Sequence, residues 1–120
     1  MTKPILRWVL TVFYFAAGVL HIVLPAPFLR IMPDWVPFPA FVLFATGLCE
    51  IAGAIGLQLP YWRRAAGIGL ALYAVCVFPA NIHHAYLDLS TGTGLGLWYH
   101  VPRFFLQPVL VWLAWIAGRD

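Results

Sequence analysis

Residues 39–59 have the sequence PAFVLFATGLCEIAGAIGLQL, an apolar run with a single charged residue, Glu50, near its middle. The run is about as long as a helix that crosses a bilayer. A carboxylate at that depth costs about 2.5–3.5 kcal/mol or more unless it is protonated or has a partner. We therefore expect polar groups from other parts of the chain to meet Glu50.

The composition of the whole chain indicates an integral membrane protein. Of its 120 residues, 63% are hydrophobic and only 9% are charged, whereas a soluble domain carries about 25% charged residues. So little polar surface cannot cover an exterior that faces water. The basic residues are scattered over the ends of the apolar runs, so nucleic acid is not expected as a partner.

Three further apolar runs have the length and the flanking residues of spanning helices. The predicted spans are about 5–24, 39–59, 65–87 and 98–117. They occupy most of the chain, which predicts a single domain over 1–120. The predicted fold is an all-α integral membrane four-helix bundle, and the lipid bilayer surrounds it. The proline-rich connection 25–38 leaves room for one interfacial helical turn, at 28–32.

The distribution of basic residues predicts how the bundle is oriented. Five of them, Lys3, Arg7, Arg63, Arg64 and Arg119, flank one end of the spans, and only Arg30 and Arg103 belong to the other end. The excess of positive charge on cytoplasmic loops then places both termini in the cytoplasm. With a rise of about 1.5 Å per residue, all four spans send polar groups into the outer half, and Glu50 is the deepest of them at about 17 Å.

The polar groups of the outer half are the candidate ligand-binding residues. They are His21, Glu50, Asn81, His84, Arg103 and Gln107. Ionisable groups inside a membrane usually mark ligand paths, proton relays or ion paths. The alternative for Glu50 is a structural ion pair with Arg103. His21 also has two interpretations. It is either a core histidine whose ring nitrogens are hydrogen-bonded, or a proton donor or acceptor next to Glu50.

The remaining histidines do not predict a metal site. His83 and His84 are adjacent, so they face about 100° apart on a helix and cannot both join one site. His84 could join His21 and His100 around an ion, but no carboxylate lies obviously level with them. We therefore predict no bound metal.

Small residues, a proline and two cysteines give local predictions. The pairs of small residues in 52–56 and 65–69 suit close contacts between helices. Pro79 is expected to kink the third span. Cys49 and Cys76 lack metal or redox spacing, so they are predicted to be buried thiols that behave as small apolar side chains.

Four motifs, taken in order along the chain, resemble the DoxX-like family of small four-helix membrane proteins. They are GVLH at 18–21, GLCEIAGA at 47–54, FPANI at 78–82, and Arg103 followed by Gln107. The resemblance implies a compact four-helix bundle in a bacterial inner membrane. It also implies distant kinship with the redox-associated DoxD and MauE proteins and with the EXPERA group, which binds or isomerises sterol-like molecules. The cysteine pair of the redox relatives is absent here, so dithiol chemistry is not implied.

Three functions are compatible with these features, and the sequence names no cofactor for any of them. The first is a pocket that binds a small lipophilic molecule such as a quinone, a sterol-like compound or a lipid. The second is an accessory subunit of a membrane redox or respiratory complex, or a homo-oligomer, in which the polar cluster is structural. The third is a membrane isomerase or oxidoreductase that uses Glu50 and His21 as acid and base. Whether the protein is an enzyme stays open at this point.

Overall fold

The structure is a computed structural model that describes residues 2–119, so the first and last residues of the predicted domain lie outside it. Within that range the chain forms six helices and no strand, which confirms the all-α prediction. The helices are α1 (Lys3–Val23), α2 (Ala26–Ile31), α3 (Pro39–Gln58), α4 (Arg63–Cys76), α5 (Phe78–Thr91) and α6 (Leu97–Ala117). The short α2 lies in the connection where a single interfacial turn was expected.

Three helical segments are long and apolar enough to cross a membrane. They are Lys3–Val23, Pro39–Gln58 and Arg63–Thr91, the last of which comprises α4 and α5. The helix α6 is as long as α1, with 21 residues. It is not among the three candidate spans, and it contains His100, Arg103 and Gln107 together with two prolines. The structure is thus a helical protein with three candidate membrane spans.

Many large apolar side chains lie on the exterior of the bundle, and Phe41 and Phe105 are 70% and 72% exposed. The interior holds leucines such as Leu57 together with small residues. Alanines fill much of the interior, as at Ala54, Ala74 and Ala114. Helices in lipid gain little from burying large apolar groups and gain more from close contact between small ones. The exterior therefore suits contact with lipid.

Two glycines allow a close helix contact, which joins α1 to α3. A Cβ atom added at Gly18 would lie 2.6 Å from the carbonyl oxygen of Gly47, and one added at Gly47 would lie 2.9 Å from that of Gly18. Only residues without a side chain allow this approach. His21 and Glu50 each follow one of these glycines by three residues, so the crossing brings the two polar side chains face to face.

The second helix pair, α4 with α6, uses a different small residue from the one expected. A Cβ atom at Gly67 would lie 2.6 Å from the Cα atom of Gly118, whereas one at Gly69 would meet nothing within 4 Å. The predicted contact at 65–69 is therefore wrong for Gly69, which lies on the outer face of α4. The other predicted pair is correct at Gly56, which packs closely on Ala66.

The predicted disruption of the third span occurs just before Pro79. The helix α4 ends at Cys76 and α5 begins at Phe78, with only Val77 between them. Pro79 thus occupies the first turn of α5, where its missing amide has no helical acceptor to lose. The last carbonyls of α4 are left without their usual intrahelical partners, which makes them available to side chains of the site.

We expect Gly18→Ala to lower the free energy of unfolding by about 1–3 kcal/mol, a typical cost of overpacking. The added methyl group would meet the Gly47 carbonyl and the Ile51 side chain, at 2.6 and 2.7 Å. The Tm of the detergent-solubilised protein measures the effect. Gly69→Ala is the matched control, because alanine there meets open space and improves helix propensity. Equal losses of stability in both variants would contradict the proposed crossing.

Candidate functional site

A cavity of about 690 Å³ occupies the half of the bundle that contains Glu50, and residues from all six helices line it. Its volume lies within the range of about 300–1,000 Å³ that is usual for small-molecule sites. All six residues that were predicted to bind a ligand line this cavity. They are His21, Glu50, Asn81, His84, Arg103 and Gln107.

Glu50 lies at the bottom of the cavity and is paired with His21. The Nδ1 atom of His21 contacts the Oε1 atom of the Glu50 carboxylate, and the carboxyl group is almost fully buried. On its other side the His21 ring packs edge-on against Phe28 of α2, with 4.3 Å between the ring centroids. The short helix α2 therefore covers one side of the acid–histidine pair.

Arg103 does not form the ion pair with Glu50 that was one of the two alternatives. Its Nη1 atom donates to the Oε1 atom of Gln107 at 2.7 Å. Among residues 2–119 no carboxylate lies within 4.0 Å of its guanidinium group. The glycine contact holds α1, and with it His21, against α3, whereas α6 packs mainly against α4. Arg103 is left as a cation on the cavity wall with donors to spare.

Gln107 is the centre of a second polar network, and it is fully buried. Its Oε1 atom accepts hydrogen bonds from Arg103 and from the Nδ2 atom of Asn81, the latter at 3.1 Å. Its Nε2 atom donates to the carbonyl of Ala74, one of the carbonyls that the end of α4 leaves unpaired. Gln107 thus ties together α4, α5 and α6 and fixes Arg103 in place.

Two tyrosines add hydroxyl groups to the region around Glu50. Tyr14 is 3% exposed, and its hydroxyl finds no hydrogen-bond partner within residues 2–119. Tyr73 lies next to Glu50 and Thr46, and the centroids of the two tyrosine rings are 6.4 Å apart. Sequence reasoning missed Thr46 and Tyr73, although the spacing of Thr46 four residues before Glu50 places both on one face of α3.

A third polar cluster lies at the rim of the cavity, between α5 and α6. The carboxylate of Asp88 is 3.0 Å from the Nε2 atoms of both His84 and His100. Sequence reasoning missed Asp88, although it follows His84 by four residues and so shares its helix face. His83 lies outside the cluster and borders a separate shallow surface depression. The separation of the two adjacent histidines is as predicted.

Polar groups of the other half of the bundle are satisfied away from the cavity. The Thr11 hydroxyl donates to the carbonyl of Ala54 at 3.0 Å and accepts from Gln58 at 2.9 Å. Arg7 donates to the carbonyl of Ala117 at the end of α6. These contacts hold helices together at the end of the bundle away from the cavity.

The cysteines differ from the prediction. Cys49 and Cys76 are both free thiols, and both are exposed rather than buried. Cys49 is exposed and does not line the cavity, whereas Cys76 lines the cavity at the end of α4. Apolarity alone does not predict this difference, because an apolar residue of a membrane helix is as readily directed outward as inward. The two thiols therefore do not pair with each other.

Comparison with known proteins gives one match. No curated protein and no solved structure is significantly similar to the chain. The family model described as Domain of unknown function (DUF8561) matches residues 10–118. The matched region contains α2 to α6 and most of α1, and with them all of the cavity residues described above. The chain therefore belongs to the DUF8561 family.

Proposed function

We propose that the protein is a four-span membrane protein in which α6 is the fourth span and both termini lie in the cytoplasm. The long axis of the molecule is 45 Å, close to the thickness of a bilayer with its headgroups, about 40–45 Å. The contact of Arg7 with the carbonyl of Ala117 brings the start of α1 and the end of α6 to the same end. The resemblance to DoxX-like proteins supports a bacterial inner membrane as the location.

We further propose that the outer-half cavity binds a small lipophilic molecule. The observation that carries this proposal is the cavity itself, which is about 690 Å³ in volume and is walled mainly by apolar side chains. Polar groups are placed at only a few points, as in sites that orient a mostly apolar ligand. A cavity of this size inside a membrane bundle would otherwise weaken it, because its lining atoms lose their packing partners.

The polar groups that lack partners indicate which atoms the ligand presents. Arg103 uses one donor on Gln107 and keeps others for the cavity, and the Tyr14 hydroxyl has no hydrogen-bond partner within residues 2–119. A ligand oxygen that accepts hydrogen bonds would satisfy both. A quinone, a sterol-like molecule and a lipid each carry such an oxygen on an apolar body.

Filling the cavity tests the proposal. We expect Ala17→Trp, which adds a large side chain to the cavity wall, to reduce the amount of co-purified small molecule about tenfold, equivalent to about 1.4 kcal/mol of binding. Native mass spectrometry and solvent extraction of the purified protein measure the retained molecule. Circular dichroism checks that the variant is folded.

Ala16→Trp is the matched control, because Ala16 is exposed and does not line the cavity. It should retain as much of the molecule as the unmodified protein. The proposal fails if no molecule is retained beyond bulk lipid, or if both tryptophan variants lose it equally.

The contact between Glu50 and His21 favours a second candidate, an acid–base enzyme. A buried carboxylate touching an imidazole can pass a proton to and from a ligand, as a double-bond shift requires. Incubating the retained molecule with fresh protein and following the position of its double bonds separates turnover from binding.

An accessory subunit of a redox complex is the third candidate. It predicts a co-purifying protein partner and a cavity whose residues affect only stability.

A further inference from the structure

The rim cluster brings the imidazole rings of His84 and His100 to a single carboxylate oxygen, Oδ2 of Asp88. The Nε2 atoms of both histidines lie 3.0 Å from that oxygen. The backbone amide of Leu95 also donates to it at 3.0 Å. Two histidine nitrogens and one carboxylate oxygen thus converge at one point between α5 and α6.

We propose that these three side chains form a binding site for a divalent transition-metal ion of the Zn²⁺ type. Two imidazole nitrogens and one carboxylate oxygen are characteristic zinc ligands, with bonds of about 2.0–2.2 Å, and three protein ligands leave a fourth position open. Ca²⁺ and Mg²⁺ require oxygen ligands instead. With an ion between the three atoms, each Nε2 atom is deprotonated and binds the metal through its lone pair.

The distances fit such an ion with small movements. The three ligand atoms lie within 4.8 Å of one another. Tetrahedral ligands at these bond lengths are about 3.4 Å apart. Each histidine nitrogen therefore needs to move a few tenths of an ångström from the carboxylate, and the two histidine nitrogens need to approach each other by about 1.4 Å or less. His84 and Asp88 are already on one face of α5, four residues apart. His100 enters from the first turn of α6.

The surroundings hold the ligands and leave a route for the ion. The Leu95 amide fixes the Asp88 carboxylate, and the Tyr99 ring packs edge-on against His84 with 5.9 Å between centroids. Such contacts orient metal ligands and raise affinity. The His100 side chain is 2% exposed, but those of His84 and Asp88 are 20% and 15% exposed. An ion can therefore reach the site from the rim.

Metal titration of the purified, tag-free protein tests the proposal. We expect one Zn²⁺ per chain in isothermal titration, and a visible absorption band typical of tetrahedral coordination when Co²⁺ is added. Asp88→Asn and His84→Gln should each weaken binding at least about 100-fold, since the loss of a group that merely orients a ligand already costs 10–100-fold. Saturating Zn²⁺ should also raise the Tm of the unmodified protein, and that shift should vanish in both variants.

His83→Gln is the matched control, because it removes a neighbouring histidine that lies outside the cluster. It should bind Zn²⁺ as tightly as the unmodified protein. His100 is left unchanged, because it is buried and its substitution could prevent folding. Asp88→Asn keeps the size of the side chain, so this variant tests the site without that risk. The proposal is overturned if the unmodified protein shows no saturable binding, or if His83→Gln loses affinity as much as His84→Gln does.

Discussion

Glu50→Gln is expected to remove most of the small molecule retained in the cavity, with affinity falling by about 10–100-fold. The amide keeps the shape of the carboxylate but loses its charge and its capacity to exchange a proton, and it no longer attracts His21. A charge-assisted hydrogen bond is worth about 1.5–3 kcal/mol, which corresponds to that range of affinity. Quantitative mass spectrometry of extracts from equal amounts of protein gives the change.

The matched control for this variant is Thr11→Val, which removes a polar group from α1 outside the cavity. It should retain the molecule at the level of the unmodified protein. We expect Glu50→Gln to change the Tm little, because a neutral amide is less costly to bury than a carboxylate. A large fall in Tm with unchanged retention would instead favour a purely structural role for Glu50, as in an accessory subunit.

Gln107→Leu is expected to lower the free energy of unfolding by about 2–4 kcal/mol. Leucine fits an apolar bundle, but it leaves Asn81, Arg103 and the carbonyl of Ala74 without the partner that each has in the structure. An unsatisfied buried group costs about 1–3 kcal/mol, and some of this is recovered because lipid-exposed helices find other partners. Unfolding in mixed micelles by denaturing detergent measures the loss.

Val109→Ala on the outer face of the same helix is the control, and it should change stability by less than about 0.5 kcal/mol. A double-mutant cycle with Asn81→Leu makes the test specific. If Gln107 joins Asn81 to Arg103 as described, the two substitutions should be non-additive by about 0.5–3 kcal/mol. Additive effects would show that the network does not act as a unit.

The sequence was sufficient to predict six residues that line one cavity, and their role in ligand binding stays a prediction. Helical rise sets the depth of each polar group along its span, so groups at overlapping depth in a small bundle must be neighbours. For this reason His21, Asn81, Gln107 and the other three candidates could be chosen before the structure was known, and all six line the cavity. The proline content of 25–38 likewise predicted a single short helix there.

The sequence was not sufficient to predict which of these residues touch. Contacts depend on how each helix is rotated about its axis and on where neighbouring helices cross, and these follow from packing over the whole bundle. Because α1 and α3 cross at Gly18 and Gly47, Glu50 contacts His21 rather than Arg103. Because α4 ends at Cys76, the Ala74 carbonyl is available to accept a hydrogen bond from Gln107.

The amino-acid sequence by itself determined that the protein is helical and apolar, where most of its helices lie, and that Glu50 lies among polar side chains. These features follow from apolarity and helical rise, which are local properties. Only the tertiary structure decided the partner of Glu50, the exposure of Cys49 and Cys76, and the contact of His84 and Asp88 with His100. Those outcomes depend on rotations of whole helices, to which many distant residues contribute and which no single motif encodes.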